Sequence, residues 1–350
     1  MVNKVLEVSH GAVNNKVGDA SSSIDSDIVL NQKMMYSGQA AIDFLSTEIS
    51  KEDLAASSYW QKHHSKFRFL GNGFEGLILL GGNEKPHRGL RLLLNRLLQR
   101  PFRRMGVAFR KFNDIDRISK KVAICQDRAS DLDVLRQVLT LSYLHDRVPS
   151  LLTSKNTSCV IGDGFATMTA LQLASRSAGR VILINLTKTL LVDLWYLKLW
   201  MGTEIFESSV DLVTDEASLS QALAKPIINE TSGNVIAIQA SNHELLRNCP
   251  IDIVLNIASM QEMNPPVIAA YFDHFRTIAS RRRLVFYCCN REEKKLPDGT
   301  VIKFNEYPWN ANDDILDDNL CPWYQKYYKL RPPFFHSYNG PIRHRLVNFK

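Results

Sequence analysis

The run Val160-Ile161-Gly162-Asp163-Gly164-Phe165-Ala166, followed by Ile182-Leu183-Ile184-Asn185, constrains this 350-residue chain more than any other feature. A β-branched apolar run enters a Gly-x-Gly turn. A helix-compatible stretch follows from Met168 to Ser177, and then a second apolar strand. Strand, glycine turn, helix, strand is the opening of a doubly wound, Rossmann-like α/β sheet. Glycine lets the backbone turn sharply and brings amide groups close to a ligand. The segment therefore predicts a site for an adenosine-containing cofactor at the turn.

The pattern continues downstream. Strands are expected over residues 158–161, 180–184, 234–239, 251–257 and 284–289, with helices over 167–178, 186–199, 215–224 and 265–279. Gly179 reads as the C-cap of the first of these helices. Strands alternating with helices predict a mostly parallel sheet covered on both faces. Upstream the periodicity is helical. Ser46-Thr47-Glu48 and Ser50-Lys51-Glu52-Asp53 read as helix starts, and residues 131–141 as a helix ending near Pro149. Three regions result: a flexible Ser/Asp/Asn/Gly-rich segment 1–32, a helical accessory or lid region 33–150, and a cofactor-binding domain 151–350.

Bulk properties narrow the class. A hydrophobic fraction of 45% supports a real core. No run reaches the length of a membrane span, and the first twenty residues lack the apolar core of a secretory signal. The six cysteines form no C-x-x-C pair, so buried free thiols in a reducing cytosol are expected over disulfide or zinc roles. The net charge of +7 is unevenly placed. Lys85, Arg88, Arg91, Arg96, Arg100, Arg103, Arg104, Arg110 and Lys111 fall between Lys85 and Phe112 with no Asp or Glu, interleaved with leucines. Such a segment reads as a packed helix with a solvated basic face, as a peripheral contact with an anionic membrane at the inner face, or as a binder of anionic substrate groups. No nucleic-acid-binding module accompanies the charge, so nucleic acid is not expected as a partner.

The glycine turn also discriminates between cofactors. A dinucleotide fold needs a third glycine because a pyrophosphate sits on the helix N-terminus. Here Phe165-Ala166-Thr167 stands there, which suits S-adenosyl-L-methionine (SAM), whose amino-acid end lies over the turn. Asn185, roughly 20 residues after the turn, is the expected ribose contact. Asp252-Ile253-Val254-Leu255-Asn256 then ends a strand and leads into a polar loop, where a methyl donor would meet its acceptor.

Further motifs carry a resemblance to a known family. Asn256-x-x-Ser259-Met260-Gln261-Glu262-Met263, then Asn290-Arg291, Leu296-Pro297-Asp298-Gly299 and Glu306-Tyr307-Pro308-Trp309, resemble the sugar O-methyltransferases, which are bacterial class I SAM-dependent enzymes. The tail motifs Cys321-Pro322-Trp323, Pro332-Pro333-Phe334-Phe335 and Gly340-Pro341-Ile342-x-His344-Arg345-Leu346 look like the same group, as does Trp60 less specifically. The resemblance covers residues 130–349 well and the first third thinly. The sequence departs at Val160, where many class I methyltransferases carry an acid, at Ala166, where they carry a third glycine, and at Asn185, where they carry a carboxylate.

The resemblance implies methyl transfer from SAM to a hydroxyl of a sugar, nucleotide sugar or lipid-linked glycan, in the cytoplasm. Transfer needs the hydroxyl oxygen in line with the sulfonium methyl and a base to take its proton. Glu262 is the first candidate base; a helix cap or a partner of Arg291 is its structural alternative. His336 is a second candidate and His344 a third. Gly162, Asp163 and Gly164 at the turn, Asn185 at the ribose, Gln239 near the adenine and Asn256 beneath the methyl are the expected cofactor contacts. Arg291, Tyr307 and Trp309 are expected to touch the acceptor. Asp313-Asp314 and Asp317-Asp318 read as a solvated loop, and no metal site is assigned. A non-catalytic SAM-fold partner protein and a nicotinamide-dependent oxidoreductase are the competing readings.

Overall fold

Continuous β-branched and apolar runs make the central strands. A computed structural model describes residues 35–51, 53, 55–76, 85–227 and 233–350. The segment 1–32 expected to be flexible lies outside them. In chain order the first part comprises β1 (Tyr36–Ser37), α1 (Gln39–Glu48), α2 (Ser58–His64), a short hairpin of β2 (Arg68–Phe69) and β3 (Phe74–Glu75), α3 (Gly89–Gly106), α4 (Phe112–Cys125) and α5 (Leu132–Arg147). Then come β4 (Thr153–Ile161), α6 (Thr167–Ala174), β5 (Ala178–Asn185), α7 (Thr187–Met201), α8 (Thr203–Ser209), β6 (Val210–Val213), α9 (Glu216–Ala224), β7 (Asn234–Gln239), β8 (Ile253–Ile257), α10 (Pro265–Ala279) and β9 (Val285–Arg291). The chain closes with a hairpin of β10 (Glu293–Lys295) and β11 (Val301–Lys303), then β12 (Asp314–Leu320), a hairpin of β13 (Lys326–Tyr328) and β14 (Phe335–Ser337), and β15 (Ile342–Asn348).

The main sheet has nine strands in the order β1-β6-β7-β5-β4-β8-β9-β15-β12. β4 pairs in parallel with both β5 and β8, so the winding reverses at β4. β15 pairs antiparallel with β9 and with β12. The fold is thus a Rossmann-like, mostly parallel α/β sheet. Strand residues alternate between its faces. Val160, Leu183 and Leu255 pack into one apolar layer with α1, α5, α6 and α7 residues. Cys159, Ile161, Ile182 and Ile184 pack into the other with α9 and α10 residues.

Local chemistry sets the boundaries. The Asp131 carboxylate caps α5 by accepting from the Val134 amide at 3.0 Å, and Asp215 caps α9 by accepting from Ser218 at 2.8 Å. α10 opens on Pro265, whose missing N–H is no loss in a first turn. Two expectations are corrected. Ser46-Thr47-Glu48 ends α1 rather than starting a helix, and Ser57 precedes the next one. Gly179 is no helix cap: α6 stops at Ala174 and Gly179 lies inside β5. A Cβ there would sit 2.0 Å from the Ser154 carbonyl oxygen, so glycine permits the close approach of β4 and β5.

The short edge strands and hairpins escaped the sequence reading, and so did three strands of the main sheet besides β1. β6 lies in a stretch that reads as irregular. β12 and β15 turn the aromatic-rich tail into part of the sheet. The acidic pairs there are not a solvated loop. Asp313 pairs with Arg276, Asp317 accepts from Tyr143 at 2.6 Å, and Asp318 pairs with Arg343 and Arg345. Five cysteines are buried free thiols, but Cys125 is exposed. Among the described residues no helix is long and apolar enough to cross a membrane.

Candidate functional site

A crevice of about 250 Å³ opens beyond the carboxyl ends of β4, β5 and β8, at the point where the strand order reverses. Its floor is Ile161, Ile184 and Ile257; the turn Gly162-Asp163-Gly164-Phe165 forms one lip. Tyr59 and Trp60 from the helix α2 form a wall, and Val134 and Gln137 of α5 another.

The turn is held by carboxylates. Gly162 and Gly164 have φ of 71° and 68°, and Phe165 and Ala166 follow at 61° and 47°. Two adjacent non-glycine residues in the left-handed region are strained by about 1–3 kcal/mol each. The surroundings over-determine them. Buried Asp193 accepts from the Ala166 amide at 2.9 Å, and Gln126 donates to the Phe165 carbonyl at 3.2 Å. The Arg128 guanidinium lies 4.1 Å from the Phe165 ring centre. Ala166 therefore occupies a conformation that a glycine would adopt freely. Ala166→Gly is expected to leave stability unchanged or to raise the melting temperature by a few degrees, read by thermal denaturation, because relief of strain outweighs the flexibility glycine adds to the unfolded chain.

Asp163 points inward to α6. Its two carboxylate oxygens accept from the Met168 and Thr169 amides at 2.8 and 2.7 Å. Burial pushes its carboxyl above the usual range, against the pull of those donors and Arg128. Burial, and then the Asp163 charge, push Asp193 well up. Asn185 sits on the crevice wall at the end of β5. Its amide already serves the fold: Nδ2 donates to Asp193 at 2.8 Å and Oδ1 accepts from Leu186 and Thr189.

Glu262 lines the opposite lip, with its side chain 12% exposed. It pairs with Lys294, not with Arg291, and does not cap α10. Burial pushes its carboxyl up, with Lys294 pulling the other way. The Lys294 ammonium lies 3.9 Å from the Tyr59 ring centre. Burial, and then the Glu262 charge, push the Tyr59 phenol to about 12. Ser57 donates to the Glu262 carbonyl, tying α2 to this lip.

The other sequence candidates lie elsewhere. Asn256 is fully buried below the crevice, donating to the Ile161 carbonyl at 3.1 Å and accepting from Asn290 at 2.8 Å. Gln239 donates to Thr187 at 3.0 Å, and the crevice wall is its neighbour Ala240. Tyr307 and Trp309 pack with Phe272, Phe286 and Phe304 between α10 and the sheet, away from the crevice. Tyr307 belongs to the core there, and Trp309 packs half-buried against the same cluster. Arg291 donates to the Asn339 carbonyl at 2.8 Å and stands outside the crevice lining. His336 stacks on Tyr327 across the β13–β14 hairpin. His344 is buried against Tyr287, Tyr143 and Trp323. Among the described residues no group of His, Cys, Asp and Glu is gathered to hold a metal ion.

Sequence reading missed Tyr59, Arg128, Asp133 and Gln137, which all face the crevice. The Gln137 Oε1 is buried there with no hydrogen-bond partner among the described residues. Its place in the ordinary periodicity of α5 carried no signal.

No protein-family model matches the chain, and no curated protein matches it. Solved structures align at low identity. An rRNA methylase from Streptococcus thermophilus is 14% identical, over 60% of this chain and 95% of its own, with a TM-score of 0.29. Magnesium protoporphyrin IX methyltransferase from Synechocystis, with bound SAM, is 10% identical over 62% and 84%, with a TM-score of 0.33. A SAM-dependent methyltransferase from Methanosarcina mazei is 10% identical over 58% and 96%, with a TM-score of 0.31. The strand order of this chain, rather than these likenesses, defines its fold.

Proposed function

We propose that this chain is a SAM-dependent O-methyltransferase acting on a hydroxyl of a sugar or glycan. One observation carries the choice of cofactor. In a dinucleotide fold the first helix N-terminus holds a pyrophosphate. Here the Ala166, Met168 and Thr169 amides are already taken by Asp193 and Asp163. A pyrophosphate would meet carboxylates in place of free amides. A donor that carries a sulfonium and an α-ammonium in place of a pyrophosphate suits the same ground, and the Gln137 Oε1, without a hydrogen-bond partner among the described residues, offers an acceptor to that ammonium. The sheet adds support. Dinucleotide folds continue the order 3-2-1-4-5-6, whereas the antiparallel β15 is inserted here between β9 and β12. A nicotinamide-dependent oxidoreductase is correspondingly disfavoured.

When bound, SAM supplies an electrophilic methyl group on a sulfonium. The crevice residues do the rest. The Gly162–Gly164 turn and Asn185 hold the donor, and the Tyr59 and Trp60 wall excludes water. Glu262 accepts the acceptor hydroxyl proton. Its carboxyl, raised by burial, stays a competent base because Lys294 favours the ionised form. The sugar class rests on the sequence resemblance.

Thermal shift tests the donor. SAM and its demethylated product should both raise the melting temperature and NAD should not, with about 2.7 kcal/mol of stabilisation at a hundredfold excess over Kd. A methyl-transfer screen over a sugar panel, read by mass, tests the acceptor. SAM binding with no transfer to any acceptor would favour the non-catalytic reading.

α3 supports a peripheral membrane contact. The helix buries Asn95, Leu98, Gln99 and Phe102 on one face and leaves Leu90, Leu93 and Leu97 80%, 64% and 49% exposed on another. These leucines recur at helical spacing beside exposed Arg96, Arg100 and Arg104. An apolar row flanked by arginines suits the interface of an anionic bilayer. The protein is expected to sediment with phosphatidylserine vesicles and not with neutral ones, and added salt or Leu90→Ser/Leu93→Ser should release it. Equal sedimentation with neutral vesicles, or none with anionic ones, removes the contact.

A further inference from the structure

A second cleft, of about 450 Å³, lies next to the donor crevice, between α3, the start of α5 and the β13–β14 hairpin. Asp133 borders both spaces. The topology explains the adjacency. β15 starts opposite Arg291, at the carboxyl end of β9, so the hairpin before it sits at the ligand edge of the sheet. We infer that this cleft binds the acceptor as a glycosyl phosphate, with the sugar at Asp133 and the phosphate at Lys329 and Arg331.

Three features point to that class. Tyr327 and Tyr338 line the cleft with their rings 5.0 Å apart; His336 stacks on Tyr327 and Arg136 lies over Tyr338, so the pair gives the cleft a fixed aromatic wall for the C–H surface of a sugar. Asp133 is held by Arg136, which donates to its Oδ1 at 2.7 Å. Arg136 is itself locked by bonds to the Trp323 and Lys326 carbonyls. The other Asp133 oxygen has no protein partner among the described residues, and the side chain is 50% exposed. A sugar hydroxyl is the donor it lacks. At the far end Lys329 and Arg331 are exposed, and no carboxylate pairs with them among the described residues. Arg136, Lys329 and Arg331 set against Asp131 and Asp133 leave these lining residues a positive excess that favours a phosphate.

As an acceptor site the cleft rests on the methyl-transfer reading; as a glycosyl phosphate site it does not. The full chain is titrated by calorimetry with glucose 1-phosphate, UDP-glucose and neutral methyl glucoside, and with vesicles that carry or lack a polyprenyl-phosphate sugar. SAM binding is followed separately by thermal shift. A phosphorylated probe should bind at least tenfold tighter than the neutral glycoside, and salt should weaken it. Which of the three binds best separates a soluble sugar phosphate from a nucleotide sugar or lipid-linked source. Lys329→Ala/Arg331→Ala, both exposed, should lose at least tenfold in affinity with the SAM shift unchanged. Asp133→Asn should weaken the phosphorylated and neutral sugars alike. Equal binding of phosphorylated and neutral probes, no binding of any, or full affinity in the double variant overturns the assignment. SAM binding without sugar phosphate binding sinks only the cleft. Sugar phosphate binding without SAM binding sinks only the methyl transfer.

Discussion

Glu262→Gln is expected to lower turnover by about 10²–10⁴-fold, the usual contribution of a positioned base, while SAM still stabilises the protein. The variant keeps the shape of the side chain and an oxygen for Lys294, so the lip should stay folded. What it loses is the site that takes the hydroxyl proton. Lys294→Met adds a reading that a merely structural glutamate would not give. The ammonium pulls the Glu262 carboxyl down against burial. Removing it leaves the burial contribution unopposed, so the Glu262 pKa rises. Because the base must be ionised to act, the acid limb of the pH–rate profile should move to higher pH. Full turnover in Glu262→Gln would remove the residue from the mechanism, and an unmoved acid limb in Lys294→Met would separate that limb from Glu262.

Gly162→Ala should cost the protein its donor. Residue 162 has φ of 71°, and a Cβ there would lie 2.1 Å from the Ser259 Oγ and 2.6 Å from the Ser259 Cβ. The left-handed backbone costs an alanine roughly 1–2 kcal/mol, and the overlap about 1–3 kcal/mol more. The β8 loop carrying Ser259 must then move away from the turn, and that loop leads directly into Glu262. SAM affinity is expected to fall at least tenfold, with a lower melting temperature. Ser259→Gly in the same chain should recover the collision and not the backbone strain. Tight SAM binding by Gly162→Ala would mean that the donor does not depend on this turn.

The elements of the sheet were readable where periodicity and burial agree. β7 and α10 fall where the sequence puts them, 234–239 and 265–279, because a central strand buried on both faces is a continuous apolar run and α10 is bounded by Pro265. Edges were less readable. β6 is four residues long, and β12 carries three acids and an asparagine in seven residues with no regular alternation, so neither looks like a core strand. The candidate site divides in the same way. Gly162, Asp163, Gly164, Asn185 and Glu262 come together on one crevice. Tyr307 and Trp309 do not, because an aromatic run has the same composition whether it lines a ligand site or fills a core.

The local chain dictated its own turn. Glycines at 162 and 164 between two β-branched runs permit few arrangements other than a strand stopping, bending sharply and continuing as a helix. Tertiary packing decided what that turn can hold. Asp163 and Asp193 close the helix amides to a pyrophosphate, and Lys294 meets Glu262 from a hairpin more than thirty residues along the chain. Those contacts depend on which elements lie side by side. That follows from burying apolar faces across the whole sheet, and residue spacing does not record it.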